Sequence, residues 1–85
     1  MDHSELTALD RRYVMQTYGR FDVDIDHGTG ATLYDLAGRE YIDFTSGIGV
    51  CSLGYADEGW VNTITEQAGK LGHISNLFYA EPYVK

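Results

Sequence analysis

Eighty-five residues suffice for one small domain, though a chain this short buries only about two-thirds or less of its unfolded surface. Hydrophobic residues at 44% and aromatics at 13% place it with globular proteins rather than disordered tails. A formal net charge of -7, from 13 acidic against 6 basic residues with no basic stripe, argues against nucleic acid as a partner.

The single cysteine, Cys51, excludes an internal disulfide and a zinc site built from several thiolates. A reducing, cytoplasmic setting is the simplest expectation. The acidic start MDHSELTALD lacks the positive charge and apolar run of a signal peptide, and no window reaches the length of a membrane span. The expected protein is soluble.

Residues 4–17 carry Leu6, Leu9, Tyr13 and Val14 at helical spacing, with Ser4 or Thr7 as N-cap and Gly19 as terminator. Phe21, Val23 and Ile25 then alternate with Asp22, Asp24 and Asp26, which predicts a strand with a solvated acidic face. His27-Gly28-Thr29-Gly30 reads as a turn. A second strand is expected over residues 31–36 and a third over 39–44. Between them, Asp35-Leu36-Ala37-Gly38 has the Asp and Gly that a type I turn favours at its first and fourth positions. The result is an antiparallel three-stranded meander.

Thr45-Ser46-Gly47-Ile48-Gly49 suits neither a good helix nor an ordinary strand. Asp57 offers an N-cap for a helix over residues 58–71, with Trp60, Ile64, Ala68 and Leu71 on one face. The stretch 74–79 reads as extended and aromatic, and Glu81-Pro82 as the opening of a further helix that is cut off at Lys85. The fold class is α+β: an N-terminal helix, the meander and a second amphipathic helix. Residues 1–85 form one segment without an internal boundary.

Several chemistries fail on their residues. The Asp22-Val23-Asp24-Ile25-Asp26 row starts like a calcium loop, but His27 stands where glycine is required and Leu33 where the bidentate Glu belongs. Gly28-Thr29-Gly30 lacks the third glycine of a dinucleotide fingerprint and leads into a strand. Cys51 has no histidine near it in sequence, and His3, His27 and His73 lack metal-ligand spacing. Two stretches remain. The small residues Ser46 to Gly49 allow close approach of a ligand, or equally a tight crossover. Ser75-Asn76-Leu77-Phe78-Tyr79 combines an amide, a hydroxyl and two aromatics, as a binding wall or an interface would.

Four blocks resemble the N-terminal part of class III pyridoxal-phosphate aminotransferases, the acetylornithine-type enzymes above all. They are Leu9 to Met15 with Thr17 to Arg20; Leu33-Tyr34-Asp35 through Gly38 with Tyr41 to Phe44 and Ser46-Gly47-Ile48; Leu53-Gly54-Tyr55; and Ser75 to Tyr79 with Glu81-Pro82. They cover nearly the whole chain in the family's order. One departure stands out: many members carry Gly-His-x-His-Pro where this chain has Gly54-Tyr55-Ala56-Asp57-Glu58, so no role of those histidines carries over.

The resemblance implies part of the small domain of a fold-type I enzyme, within a homodimer whose partners are the remainder of the chain and a second subunit. It implies pyridoxal phosphate in the full-length enzyme and none on this chain alone, whose only lysines, Lys70 and Lys85, stand in no cofactor motif. Ser46, Gly47, Ile48, Asn76, Phe78 and Tyr79 would border the site of a small amino-acid substrate, with Ile48 and Phe78 as its apolar wall. No catalytic or metal-binding residue is expected here. On this reading the chain is an inactive fragment that self-associates or is poorly stable. The alternatives are a fragment of an ornithine or other ω-amine enzyme, and a standalone interaction module without catalysis.

Overall fold

The computed structural model describes residues 1–84; Lys85, where the expected last helix is cut off, lies outside the described residues. The element order is α1 (His3–Tyr13), β1 (His27–Thr29), β2 (Thr32–Tyr34), β3 (Glu40–Ile42), the single turn α2 (Ser46–Gly49), α3 (Glu58–Lys70) and a turn of 3-10 helix (Glu81–Tyr83). The three strands form one antiparallel sheet in the order β1-β2-β3. The expected α+β arrangement of helix, meander and second helix is present.

The boundaries differ in instructive ways. α1 starts earlier than expected because Asp2, not Ser4 or Thr7, is its N-cap. The Asp2 carboxylate accepts from the Glu5 N–H at 2.8 Å, and the Glu5 carboxylate accepts from the Asp2 N–H at 3.0 Å, a reciprocal capping box. The helix stops at Tyr13, with extended backbone at Val14.

Residues 21–26 are not a strand. The first strand is instead His27–Thr29, part of the stretch expected to be a turn. It pairs with β2 across the two-residue connection Gly30-Ala31, with Thr29 opposite Thr32 and Gly30 at φ +60°. Two of the three aspartates upstream have tertiary partners instead, and Asp26 pairs with the adjacent His27. Asp22 and Asp24 hold His3, and Asp24 also accepts from the Leu36 N–H at 2.7 Å.

The hairpin between β2 and β3 forms where the sequence places it. Asp35, at 8% exposure the only buried residue among those described, accepts from the Ala37 and Arg39 N–H groups at 3.0 and 2.8 Å and from the Tyr41 hydroxyl at 3.0 Å. These bonds hold its carboxyl below the ordinary range, with the Arg39 N–H as the largest cause. Gly38 takes φ +84° and donates its N–H to the Asp35 carbonyl at 3.0 Å, closing the turn.

α3 begins at the expected cap, where the Asp57 carboxylate accepts from the Trp60 N–H at 3.0 Å. The tail is less extended than its sequence suggests. The Phe78 N–H reaches the Ser75 carbonyl at 3.1 Å and the Leu77 N–H reaches the Ser75 hydroxyl at 3.2 Å, so a turn interrupts it.

No large apolar side chain is buried among the described residues. Trp60 and Ile64, on the apolar stripe of α3, are 56% and 48% exposed, and Ile42 and Phe44 at the end of β3 are 71% and 91% exposed. The radius of gyration is 17.4 Å, against about 12 Å for a compact domain of this length. The exposed surface of 7683 Å² likewise exceeds the roughly 5,000 Å² of a compact chain of similar mass. The elements are formed, and the surface they would bury lies open.

Candidate functional site

β3 runs into the candidate site. One face of the sheet carries Gly28, Leu33 and Tyr41 in register, and Tyr55 packs its ring over Gly28. A Cβ at Gly28 would lie 2.9 Å from Tyr55 Cγ, so the absence of a side chain there is what admits the ring. Tyr55 is also joined to Gly30 by two backbone bonds, each 2.9 Å.

Asp43, just past β3, collects the donors around it. Its Oδ1 accepts from the Thr45 N–H at 2.8 Å, the Thr45 hydroxyl at 2.8 Å and the Ser46 N–H at 3.2 Å. Its Oδ2 accepts from the Tyr55 hydroxyl at 2.5 Å. The Tyr55 hydroxyl first, and then Thr45, hold the Asp43 carboxyl down to about 2. The same bond to Asp43 pushes the Tyr55 hydroxyl up to about 12, so the pair is a neutral phenol donating to a carboxylate at any ordinary pH.

The turn α2 that follows is left-handed. Ser46, Gly47, Ile48 and Gly49 have φ of +52°, +60°, +61° and +77°. Glycine adopts this region freely, but Ser46 and the β-branched Ile48 do so at a cost of about 1–2 kcal/mol each. The turn is closed by the Gly49 N–H on the Thr45 carbonyl at 3.0 Å and by the Val50 and Cys51 N–H groups on the Ser46 carbonyl, both at 2.8 Å. Strain of this kind persists where the surroundings over-determine it, and it gathers at ligand sites. It presents Ile48 outward at 96% exposure.

The six residues singled out in the sequence fall into two groups. Ser46 lines a cleft of about 340 Å³ with Gly30, Asp43, Cys51, Gly54 and Tyr55. Gly47 and Ile48 sit beside it on the same turn. Tyr79 lines a second cleft, of about 470 Å³, against Gln67, Lys70 and Leu71 at the end of α3. Asn76 and Phe78 precede Tyr79 in the tail and are not among the residues that line this cleft, with Phe78 61% exposed. These two clefts share no residue. Tyr55 and Asp43 were not singled out in the sequence. Their link is tertiary, and the only local signal was an Asp directly after a strand and before a small-residue turn.

A further cleft, of about 500 Å³, lies elsewhere, between α1 and residues 16–24. There the His3 ring lies between two carboxylate acceptors, its nitrogens 2.6 Å from Asp24 and 2.7 Å from Asp22. Asp22 first and then Asp24 raise the His3 pKa above its ordinary 6.5, and the Leu36 N–H first and then His3 lower that of Asp24 below 3.8. The histidine's contribution is complete below pH 6.5 and is lost as pH rises through its folded value; that of Asp24 is complete above pH 3.8 and is lost as pH falls through its folded value. Protection of the α1 amides, relative to their intrinsic exchange rates at each pH, is therefore expected to be greatest between those two values, and His3→Gln to abolish its fall on the alkaline side. Protection that does not change with pH in the unsubstituted chain would count against a role for the His3 contacts with Asp22 and Asp24.

Comparison with known proteins gives this geometry its class. The profile of the family "Aminotransferase class-III" matches residues 13–85, and the chain belongs to that family. It is 49% identical over 82 residues to the acetylornithine aminotransferase of Haemophilus ducreyi, covering 96% of this chain and 21% of that protein. It is 50% identical over 78 residues to that of Wolinella succinogenes, covering 92% and 20%. Among solved structures, the acetylornithine aminotransferase of Elizabethkingia anophelis superposes with a TM-score of 0.92 at 27% identity, over 95% of this chain and 21% of that one. The ornithine delta-aminotransferase of Plasmodium falciparum gives 0.91 at 25%, over 95% and 21%. The chain thus spans about a fifth of the length of the relatives it matches. Its helix, meander and second helix are part of the fold-type I architecture of these enzymes.

The family implies pyridoxal phosphate for the full-length enzyme. Lys70, the one lysine among the described residues, does not fit as its Schiff-base lysine. A Schiff-base lysine needs a free amine in an enclosed site, whereas the Lys70 amine pairs with Glu66 at 3.0 Å on the outside of α3 and is 66% exposed. No helix among the described residues is long and apolar enough to cross a membrane.

Proposed function

We propose that this chain is the N-terminal segment of an acetylornithine-type aminotransferase, inactive alone. In the assembled enzyme it shapes the rim of the substrate site and contributes to the contact between two identical subunits. The reaction is amino-group transfer from N-acetylornithine to 2-oxoglutarate, a cytoplasmic step of arginine biosynthesis, with pyridoxal phosphate held by the remainder of the chain. Ser46, Gly47 and Ile48 supply one part of the rim, and Asn76, Phe78 and Tyr79 another.

The observation that carries this reading is a backbone that matches a whole aminotransferase segment while burying no large apolar side chain of its own. Such a segment is shaped for surroundings that other residues supply. This also separates the reading from a standalone interaction module, which would need a core. A fragment of an ornithine-type enzyme is a second reading, supported by the match to the Plasmodium falciparum structure.

The test is a chimaera in which this chain replaces the matching segment of the Haemophilus ducreyi enzyme. It is expected to transfer from N-acetylornithine within about tenfold of that parent, a loss of no more than about 1.4 kcal/mol in the transition state. A folded chimaera without transfer would sink the proposal. One that prefers ornithine would favour the second reading.

A further inference from the structure

The left-handed turn at Ser46 to Gly49 is strained at two residues that are not glycine, and its own three backbone bonds lie within the turn. They close it without fixing where it points. What ties it to the sheet is Asp43, whose Oδ1 holds the Thr45 N–H, the Thr45 hydroxyl and the Ser46 N–H. Asp43 follows β3 directly, and its backbone N–H donates to the Ala31 carbonyl at 2.8 Å.

A carboxylate bound through one oxygen can still rotate about its side-chain bonds. The second oxygen is occupied by the Tyr55 hydroxyl at 2.5 Å. Tyr55 in turn is held at both ends. Its backbone exchanges two bonds with Gly30 at the tip of the β1–β2 hairpin, and its ring rests on Gly28. A hydroxyl carried on so fixed a frame makes the carboxylate rigid.

We propose that Tyr55 is a positioning residue for the substrate-site rim. By donating to Asp43 Oδ2 it fixes the carboxylate that orients Thr45 and Ser46, and so fixes the direction in which the left-handed turn presents Ile48. The link from turn to substrate rests on the aminotransferase reading above, while the pin itself rests on the hydrogen bonds alone. Packing over Gly28 needs only a ring, which phenylalanine would supply. Holding Asp43 needs the hydroxyl.

Tyr55→Phe therefore isolates the proposal, and hydrogen exchange followed by mass spectrometry on the chimaera reads it whether or not that protein is active. Peptides covering 45–51 are expected to exchange about fivefold faster than in the parent, as for the loss of one hydrogen bond. Peptides covering β2 and β3 should be unchanged. In the active chimaera the KM for N-acetylornithine rises by about the same factor, with kcat altered less than twofold, the pattern of a displaced binding wall. Tyr13→Phe, which removes an exposed hydroxyl elsewhere, should alter neither.

Unchanged exchange over 45–51 in Tyr55→Phe would overturn the pin. So would a Tyr55→Phe effect that persists in full when added to Asp43→Ala, which leaves the hydroxyl no acceptor, since the two groups are held to act through one bond. A parent chimaera without transfer that still loses protection in Tyr55→Phe would support the pin and overturn the aminotransferase reading.

Discussion

Heated by itself, the 85-residue chain will show no cooperative melt. Its circular dichroism will drift with temperature, and sedimentation will report species larger than the monomer. The elements are each below the size that stands alone. α1 has 11 residues and α3 has 13, and isolated helices shorter than about 12–15 residues are marginal in water. The strands have three residues each, and a small sheet needs an apolar face packed on something. Fixing one residue costs about 1–2 kcal/mol of backbone entropy, and the term that normally offsets it, about 1.5–3 kcal/mol for each fully buried large apolar side chain, is missing. Phe21, Phe44 and Ile48 are 93%, 91% and 96% exposed. Their open surface drives association instead. In the chimaera the same chain should melt with the host in one transition. A sharp, concentration-independent melt of an isolated monomer would overturn this account and revive the standalone module.

What the sequence made legible follows how local each signal is. The β2–β3 hairpin could be read because Asp35 and Gly38 satisfy the turn within four residues, and α3 because Asp57 caps it directly ahead of a helical apolar pattern. The start of α1 was equally local, in the Asp2 and Glu5 pair, but Ser4 and Thr7 offered competing caps. Period two does not make a strand of residues 21–26, because a loop shows it too when its carboxylates turn to a distant side chain. Asp22 and Asp24 turn to His3, nineteen and twenty-one residues away, and Asp24 also holds Leu36. At the site, Ser46 to Gly49 could be recognised as neither helix nor strand. Its left-handed course could not, since Ile48 is a residue that disfavours it. The pin by Tyr55 depends on a contact twelve residues away, which no local pattern encodes.

Gly54→Ala is expected to be strongly destabilising. Gly54 sits at φ +78°, where alanine costs about 1 kcal/mol. Space is the larger obstacle. The added Cβ would lie 2.9 Å from the Gly30 carbonyl oxygen and 3.1 Å from both Gly30 C and Gly30 Cα. Those are backbone atoms, with no flexible end to swing aside. Relief requires moving residues 54 and 55 away from Gly30, which breaks the paired Gly30 and Tyr55 backbone bonds, worth roughly 1 kcal/mol each. The total is about 3 kcal/mol, enough to lower the denaturation midpoint of the chimaera measurably and to release Tyr55 from the hairpin. Gly30→Ala separates the two causes, because Gly30 shares the left-handed φ, at +60°, yet an added Cβ there meets nothing within 4 Å. It should cost about 1 kcal/mol, the conformational part alone. Equal losses in the two variants would show that conformation, not the close approach of the two backbones, is what Gly54 provides.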